Sequence, residues 1–244
     1  QRGDLLDAES GFFFAISLEP NEPTPHHWYS LLLGRVGRLQ QALEQARRAY
    51  ELDPTSAILA ANLSAMHLLL GNDEQALLFS QMATELGLDK QQTGVESAIA
   101  IRRGQWDEAK RLLAAQTHLP AEVRAYIPRF VDALADPRLR PEVVAGMRAI
   151  DPAVINQDEL IGSYVLLGAV DVAYDLIFDA LDKDPMAWTK GWDMTIAWGK
   201  DGVAFRRHPR FAELASRMGL LDYWKQYGYP DGCRAGEDQP VVCS

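Results

Sequence analysis

The segment GRLQQALEQARRAYELDP, which runs from Gly37 to Pro54, carries the pattern that decides the fold of this chain. Gly37 suits the left-handed residue of a tight turn between two helices, because glycine has no side chain to clash there. Ala42 and Ala49 lie seven residues apart on the stretch that follows, and small side chains suit a place where two helices cross closely. Pro54 cannot extend the helix behind it. The segment therefore predicts a turn followed by one closely packed helix.

The same spacing recurs along the chain. The intervals between the turn glycines are 34, 34, 33 and 64 residues, and the last is close to two periods. The glycines are Gly3, Gly37, Gly71, Gly104 and Gly168, and alanine follows each by five residues, at Ala8, Ala42, Ala76, Ala109 and Ala173. Amphipathic segments such as ANLSAMHLLLG, at 61–71, precede these glycines with apolar residues at helical spacing. This period predicts repeated helical hairpins.

These residues resemble the tetratricopeptide repeat (TPR) family. The segments 37–54 and 168–185 have alanine and proline where the second helix of that family has them. The resemblance implies an all-α fold, an α-solenoid of helix-turn-helix repeats. Three positions depart from the family pattern: Gln116 stands where alanine is expected, and the aromatic position of the first helix holds His26 in one unit and Ala60 in the next.

The repeat spacing divides the chain into five parts. Residues 1–22 form the second helix of a truncated repeat, 23–120 form TPR repeats, and 154–186 form another. Residues 121–153 make a degenerate repeat without the turn glycine and the first alanine. Residues 187–244 form a C-terminal helical cap and tail.

The beginning of the sequence has the pattern of half a repeat. Gly3 holds the turn position, so the helix after it is the second of a pair, and Phe12, Phe13 and Phe14 would lack their usual cover. Two interpretations stand: a fragment of a longer protein, or a natural chain with a lone N-terminal helix. Under the fragment interpretation, the exposed half-repeat predicts self-association of the isolated chain into a homo-oligomer.

Tryptophan is concentrated after Pro185. Four of the six tryptophans lie there, at Trp188, Trp192, Trp198 and Trp224. They predict a terminal capping module whose aromatic side chains close the end of the solenoid, or alternatively an aromatic binding pocket. The tail also holds both cysteines, Cys233 and Cys243, which form either a disulfide or two unpaired thiols.

The stretch FRRHPRFAELASRMGLLDYWKQYGYPDGC, at 205–233, resembles the C-terminal end of certain bacterial proteins. These join TPR repeats to an N-terminal winged-helix DNA-binding domain or to an adenylate cyclase domain. The resemblance implies a sensor or interaction module in signalling or transcription regulation. It also implies a periplasmic location where a membrane span separates the two parts, and a cytoplasmic one otherwise.

Composition argues against several other classes of function. A formal net charge of −10 argues against direct nucleic-acid binding, which needs a basic surface. No uninterrupted apolar run is long enough to cross a bilayer. The five histidines pair with no Cys, Asp or Glu at a metal-ligand spacing, and no nucleophile–base arrangement stands out. We expect no catalytic residue, no metal and no cofactor.

Recognition of a protein or peptide partner is the remaining function. In such solenoids the first helices line a concave groove. The register assigns to that groove His27, Leu31, Arg35, Asn62, Ala65, Leu69, Ile101 and Arg102. The leading hypothesis is a non-catalytic sensor or interaction domain that binds a peptide, a partner domain or a small effector there. The alternatives are a stand-alone scaffold or assembly factor and the regulatory part of a nucleotide cyclase.

Overall fold

The computed structural model describes residues 4–116, 119–150, 157–189 and 195–244. The predicted all-α class is confirmed, with a single two-residue β pairing in the described part of the chain. The helices are α1 (Asp4–Leu18), α2 (Pro23–Arg35), α3 (Leu39–Leu52), α4 (Ala57–Leu70), α5 (Asp73–Glu85), α6 (Asp89–Arg102), α7 (Trp106–Ala114), α8 (Ala121–Ala135), α9 (Arg140–Arg148), α10 (Gln157–Leu166), α11 (Val170–Lys183), α12 (Thr195–Trp198), α13 (Val203–Arg206), α14 (Phe211–Arg217) and α15 (Leu220–Tyr227). Short 3₁₀ turns lie at Pro137–Leu139, Ala187–Thr189 and Lys200–Gly202. Gly3 and Trp192 lie outside the described residues.

Glycine turns join four pairs of helices into hairpins. Gly37, Gly71, Gly104 and Gly168 all have positive φ, between 68° and 85°. They lie between α2 and α3, α4 and α5, α6 and α7, and α10 and α11. The alanines five residues later in these four hairpins are fully buried, which matches the predicted close helix crossings. Residues 121–153 contain α8 and α9 without such a glycine between them.

The hairpins stack in chain order. From α1 to α8 each helix packs against the next one, and the first helices α2, α4 and α6 also contact one another in sequence. Each hairpin therefore buries its apolar face against its neighbours, which is the way that repeat proteins form a continuous core.

The C-terminal module, residues 195–244, does more than cap the last hairpin. Tyr174 of α11 donates a hydrogen bond to the Phe205 carbonyl at 3.0 Å, so the module does cover α11. The same module returns to the beginning of the chain, where α12 packs against α2 and α4. The expectation of a cap at one end alone is therefore incomplete, because the module joins the two ends of the helical array.

Two tryptophans explain why the module docks at the end of α2. The last carbonyls of a helix have no partner within the helix. Trp198 Nε1 donates to the carbonyl of Arg35 at 2.9 Å, and Trp224 Nε1 donates to the carbonyl of Val36 at 2.9 Å. Both indoles are buried, so each satisfies a polar group while its ring adds to the core.

A buried carboxylate ties α1 into this arrangement. Glu9 is fully buried and accepts hydrogen bonds from Tyr29 Oη at 2.6 Å and Arg38 Nη1 at 2.8 Å. Its second oxygen accepts from Tyr223 Oη of α15 at 2.5 Å. Burial and the neighbouring Glu9 raise the pKa of both tyrosines, so both remain proton donors. Phe12 packs on Tyr29, with 5.8 Å between ring centroids.

The tail ends in a small closed loop. Cys233 and Cys243 form a disulfide, and their strands β1 (Cys233–Arg234) and β2 (Val242–Cys243) pair antiparallel. Of the two alternatives for these cysteines, the structure has the disulfide.

Candidate ligand-binding cavity

The structure separates the eight predicted groove residues into three groups. His27 and Leu31 remain near the surface of α2, and the Leu31 side chain is 37% exposed. The His27 ring lies beside Trp28, with 5.5 Å between centroids. Burial lowers the pKa of the His27 imidazole.

The second group holds helices together. Asn62 is buried, and its Nδ2 donates to Ser30 Oγ at 2.6 Å, which joins α4 to α2. Ala65 packs on the apolar cluster formed by α2, α3 and α4. The guanidinium of Arg35 lies 6.0 Å from the centre of the Trp188 ring. These contacts leave the second group engaged within the protein.

The third group, Leu69, Ile101 and Arg102, meets in a cavity of about 530 Å³. Its wall comes mainly from α4, α6, α8 and α10, and Thr195, Gly199 and Asp201 of the C-terminal module close one side. The other apolar residues that line it are Leu68, Ala98, Leu113, Leu119, Val123, Tyr126, Ile127, Phe130, Met147, Ile150 and Leu166. This cavity is the candidate site.

Sequence reasoning missed the contribution of α8. Val123, Tyr126, Ile127 and Phe130 all line the cavity. Their spacing of three, four and seven residues places them on one helix face. That spacing is visible in the sequence. Because the unit at 121–153 lacks the turn glycine and the first alanine, its residues could not be aligned with those of the other repeats, and the face of α8 could not be assigned.

Tyr126 is held in place by a close approach of α9. Its hydroxyl donates to the carbonyl of Val143 at 3.0 Å. A Cβ on Gly146 would overlap the Tyr126 hydroxyl, so glycine at this position makes room for the ring. Burial raises the pKa of the Tyr126 hydroxyl, which keeps it a donor.

Arg102 is engaged by partners from three parts of the protein. Its Nη1 donates to Asp73 at 2.5 Å, and its Nη2 donates to the carbonyl of Leu68 at 3.2 Å and lies 3.5 Å from Asp201. Asp73 also lies 3.4 Å from Arg103. The guanidinium therefore meets two carboxylates, one from α5 and one from the C-terminal module.

Glu159 is the third charged residue that lines the cavity, beside Arg102 and Asp201. Its side chain is exposed, which places it where the cavity meets solvent. It forms no ion pair with any other described residue. The neutral polar groups of the lining include Gln116 and Ser163.

The described part of the chain contains no group of three or more His, Cys, Asp or Glu side chains that could hold a metal ion. Nor does any helix in it have the length and apolar character to cross a membrane. His208 joins the C-terminal module to α11: its Nε2 lies 3.0 Å from Asp171, and its ring stacks on Tyr174.

Comparison with known proteins adds no relative: neither the family models nor the curated proteins searched give a match to this sequence.

Proposed function

We propose that this chain is a non-catalytic sensor module, a TPR-like α-solenoid that binds a small effector in the cavity between α4, α6, α8 and α10. The observation that carries the proposal is the cavity itself, whose volume of about 530 Å³ lies within the usual range of ligand sites. The glycine and alanine spacing supports the assignment of the hairpins to TPR-like repeats.

The position of the C-terminal module favours a small effector over an extended peptide. The module packs on α2 and α4, and a Cβ on Gly199 would lie 3.4 Å from the backbone oxygen of Leu69. A peptide lying along α2, α4 and α6 would have to displace this module and the hydrogen bonds of Trp198 and Trp224. A ligand of drug size needs only the cavity.

A sensor also needs a way to pass on the binding event. The cavity wall combines repeat residues, such as Arg102, with Asp201 and Gly199 of the C-terminal module. A ligand that prefers one arrangement of these two parts shifts the balance between arrangements, which is the requirement for coupling. In the bacterial regulators and cyclases that the stretch 205–233 resembles, the coupled effector is a separate domain. The disulfide supports an oxidising compartment such as the periplasm.

The proposal is tested with N-phenyl-1-naphthylamine, an apolar dye that fluoresces when it leaves water. We expect saturable binding to the purified chain. Ile101→Trp and Ser163→Trp, which place a large ring in the cavity, should weaken binding at least tenfold. Ile58→Trp is the matched control, because Ile58 is 60% exposed on α4 and does not line the cavity.

Circular dichroism and thermal unfolding establish that each variant is folded before its affinity is compared. Equal dye affinity in the wild-type protein and in both folded cavity variants would contradict the proposal. So would the absence of saturable binding to the wild-type protein.

A further inference from the structure

The wall of the cavity favours a ligand with a sizeable apolar body. Tyr126, Phe130 and Leu166 face it together with aliphatic side chains from α4, α6 and α7. Water in contact with such a wall is displaced favourably by hydrocarbon. A short polar ligand would leave most of this apolar wall in contact with water.

The cation in the wall is poorly placed to receive an anionic group. Arg102 already meets Asp73 and Asp201, and its second terminal nitrogen also donates to the Leu68 carbonyl. A ligand carboxylate at the terminal nitrogens would have to displace one of these partners, and only the buried Nε–H has no hydrogen-bond partner among the described residues. The two terminal nitrogens are therefore part of the wall rather than a free anchor.

Among the charged residues that line the cavity, the two carboxylates of Glu159 and Asp201 outnumber the one guanidinium of Arg102. Glu159 has no ionic partner among the described residues, and the Asp201 side chain, which shares Arg102 with Asp73, is 44% exposed. Arg103 lies 3.4 Å from Asp73. An anionic head group would be repelled here, and a cationic one attracted.

We propose that the effector is a cationic amphiphile: a hydrocarbon body in the cavity and a protonated amine at the Glu159 carboxylate. This inference rests on the proposed function, since it names the ligand class of the same cavity. Because Glu159 is exposed, its attraction for the amine is modest, and the apolar body supplies most of the affinity.

The test compares three ligands with one hydrocarbon chain and different head groups. Decylamine, 1-decanol and decanoate are titrated at pH 7, below their aggregation concentrations, as competitors of bound N-phenyl-1-naphthylamine. We expect decylamine to bind about two- to fivefold more tightly than 1-decanol, which is the scale of an exposed ion pair. Decanoate should bind more weakly than 1-decanol.

Glu159→Gln assigns the effect to one side chain. In this variant the advantage of decylamine over 1-decanol should fall to within a factor of about 1.5, while 1-decanol itself binds as before. Glu44→Gln is the control, since Glu44 is exposed on α3 and does not line the cavity. It should leave the order of the three ligands unchanged.

The outcomes separate this inference from the proposed function. If decanoate binds as well as decylamine, or if decylamine keeps its advantage in Glu159→Gln, the assignment of the head group is overturned while the cavity stands. If none of the three displaces the dye and the tryptophan variants bind it normally, the cavity is not the site and both proposals are overturned.

Discussion

At the scale of single residues, Gly37 shows how one position serves two purposes. Its φ of +85° is the left-handed conformation that the turn after α2 requires. It also lies directly under the C-terminal module, since a Cβ on Gly37 would come within 2.7 Å of both Pro230 and the Trp198 ring. The need for a left-handed turn residue can be predicted from the spacing of the glycines in the sequence. The second requirement comes from residues more than 160 positions away, so no local pattern reports it.

We predict that Gly37→Ala lowers the free energy of unfolding by about 2–5 kcal/mol. The left-handed backbone costs alanine about 1–2 kcal/mol, and crowding against Trp198 and Pro230 costs about 1–3 kcal/mol. Gly87→Ala is the control, because Gly87 also has positive φ but nothing within 4 Å of its Cβ position. Urea unfolding measures both variants. An equal loss of unfolding free energy in the two variants would mean that contact with the C-terminal module adds nothing to the cost at Gly37.

At the scale of elements, the tail binds the beginning of α3 through Asp231, just before the disulfide loop. The backbone N–H of Asp231 donates to the Gly37 carbonyl at 3.0 Å. Its carboxylate accepts from the backbone N–H of Gln40, in the first turn of α3, at 2.8 Å. A carboxylate at a helix N-terminus satisfies an otherwise unpaired N–H and complements the helix dipole. The disulfide between Cys233 and Cys243 closes the loop that follows this contact.

Asp231→Ala should therefore destabilise the protein by about 0.5–1 kcal/mol, the lower range for loss of a helix cap, because the site is exposed. Asp238→Ala is the matched control, because Asp238 is an exposed carboxylate inside the disulfide loop that follows Asp231 and has no hydrogen bond to α3. It should change stability by less than about 0.5 kcal/mol. Thermal unfolding of both variants under non-reducing conditions is the measurement. A loss in Asp238→Ala as large as that in Asp231→Ala would show that the loop, and not the cap, is responsible.

The elements also show where sequence reasoning reaches its limit. The four glycine hairpins were predictable, because left-handed turns and close helix crossings each restrict the residue type at a fixed spacing. Only three of the eight predicted groove residues line the cavity, namely Leu69, Ile101 and Arg102. Asn62 has the right register, yet the structure uses it to bind Ser30 of the preceding hairpin. The register identifies a helix face, but it does not say which neighbour covers that face.

At the scale of the whole molecule, the C-terminal module contacts both α11 and α1, and so closes a circuit of contacts that runs from α1 along the helices to α11 and back through the module. Arg210 and Arg217 bind Asp175 and Asp182 of α11, at 2.6 and 2.5 Å. At the other end, Tyr223 reaches Glu9 of α1. The cavity lies within this circuit, with the module as part of its wall. Return of a chain end to its beginning depends on tertiary contacts, so composition and period could not predict it.

The exposed apolar side chains of α1 offer the rival place for an apolar ligand. Phe13, Phe14 and Leu18 are 51%, 65% and 64% exposed. A dye that bound there would report on an outer surface and not on the cavity. The two sites lie on different elements, so a measurement that resolves backbone segments distinguishes them.

Hydrogen–deuterium exchange of the protein with and without saturating N-phenyl-1-naphthylamine tests the central claim most directly. Binding in the cavity should slow amide exchange in residues 94–102 of α6, in α8 and α10, and at 199–202 of the C-terminal module, because a bound ligand stabilises the elements it contacts. The outer helices α3 and α5 should change little and serve as internal controls. Slowed exchange confined to α1, or no change in α6 and α8, would contradict a ligand site inside the circuit.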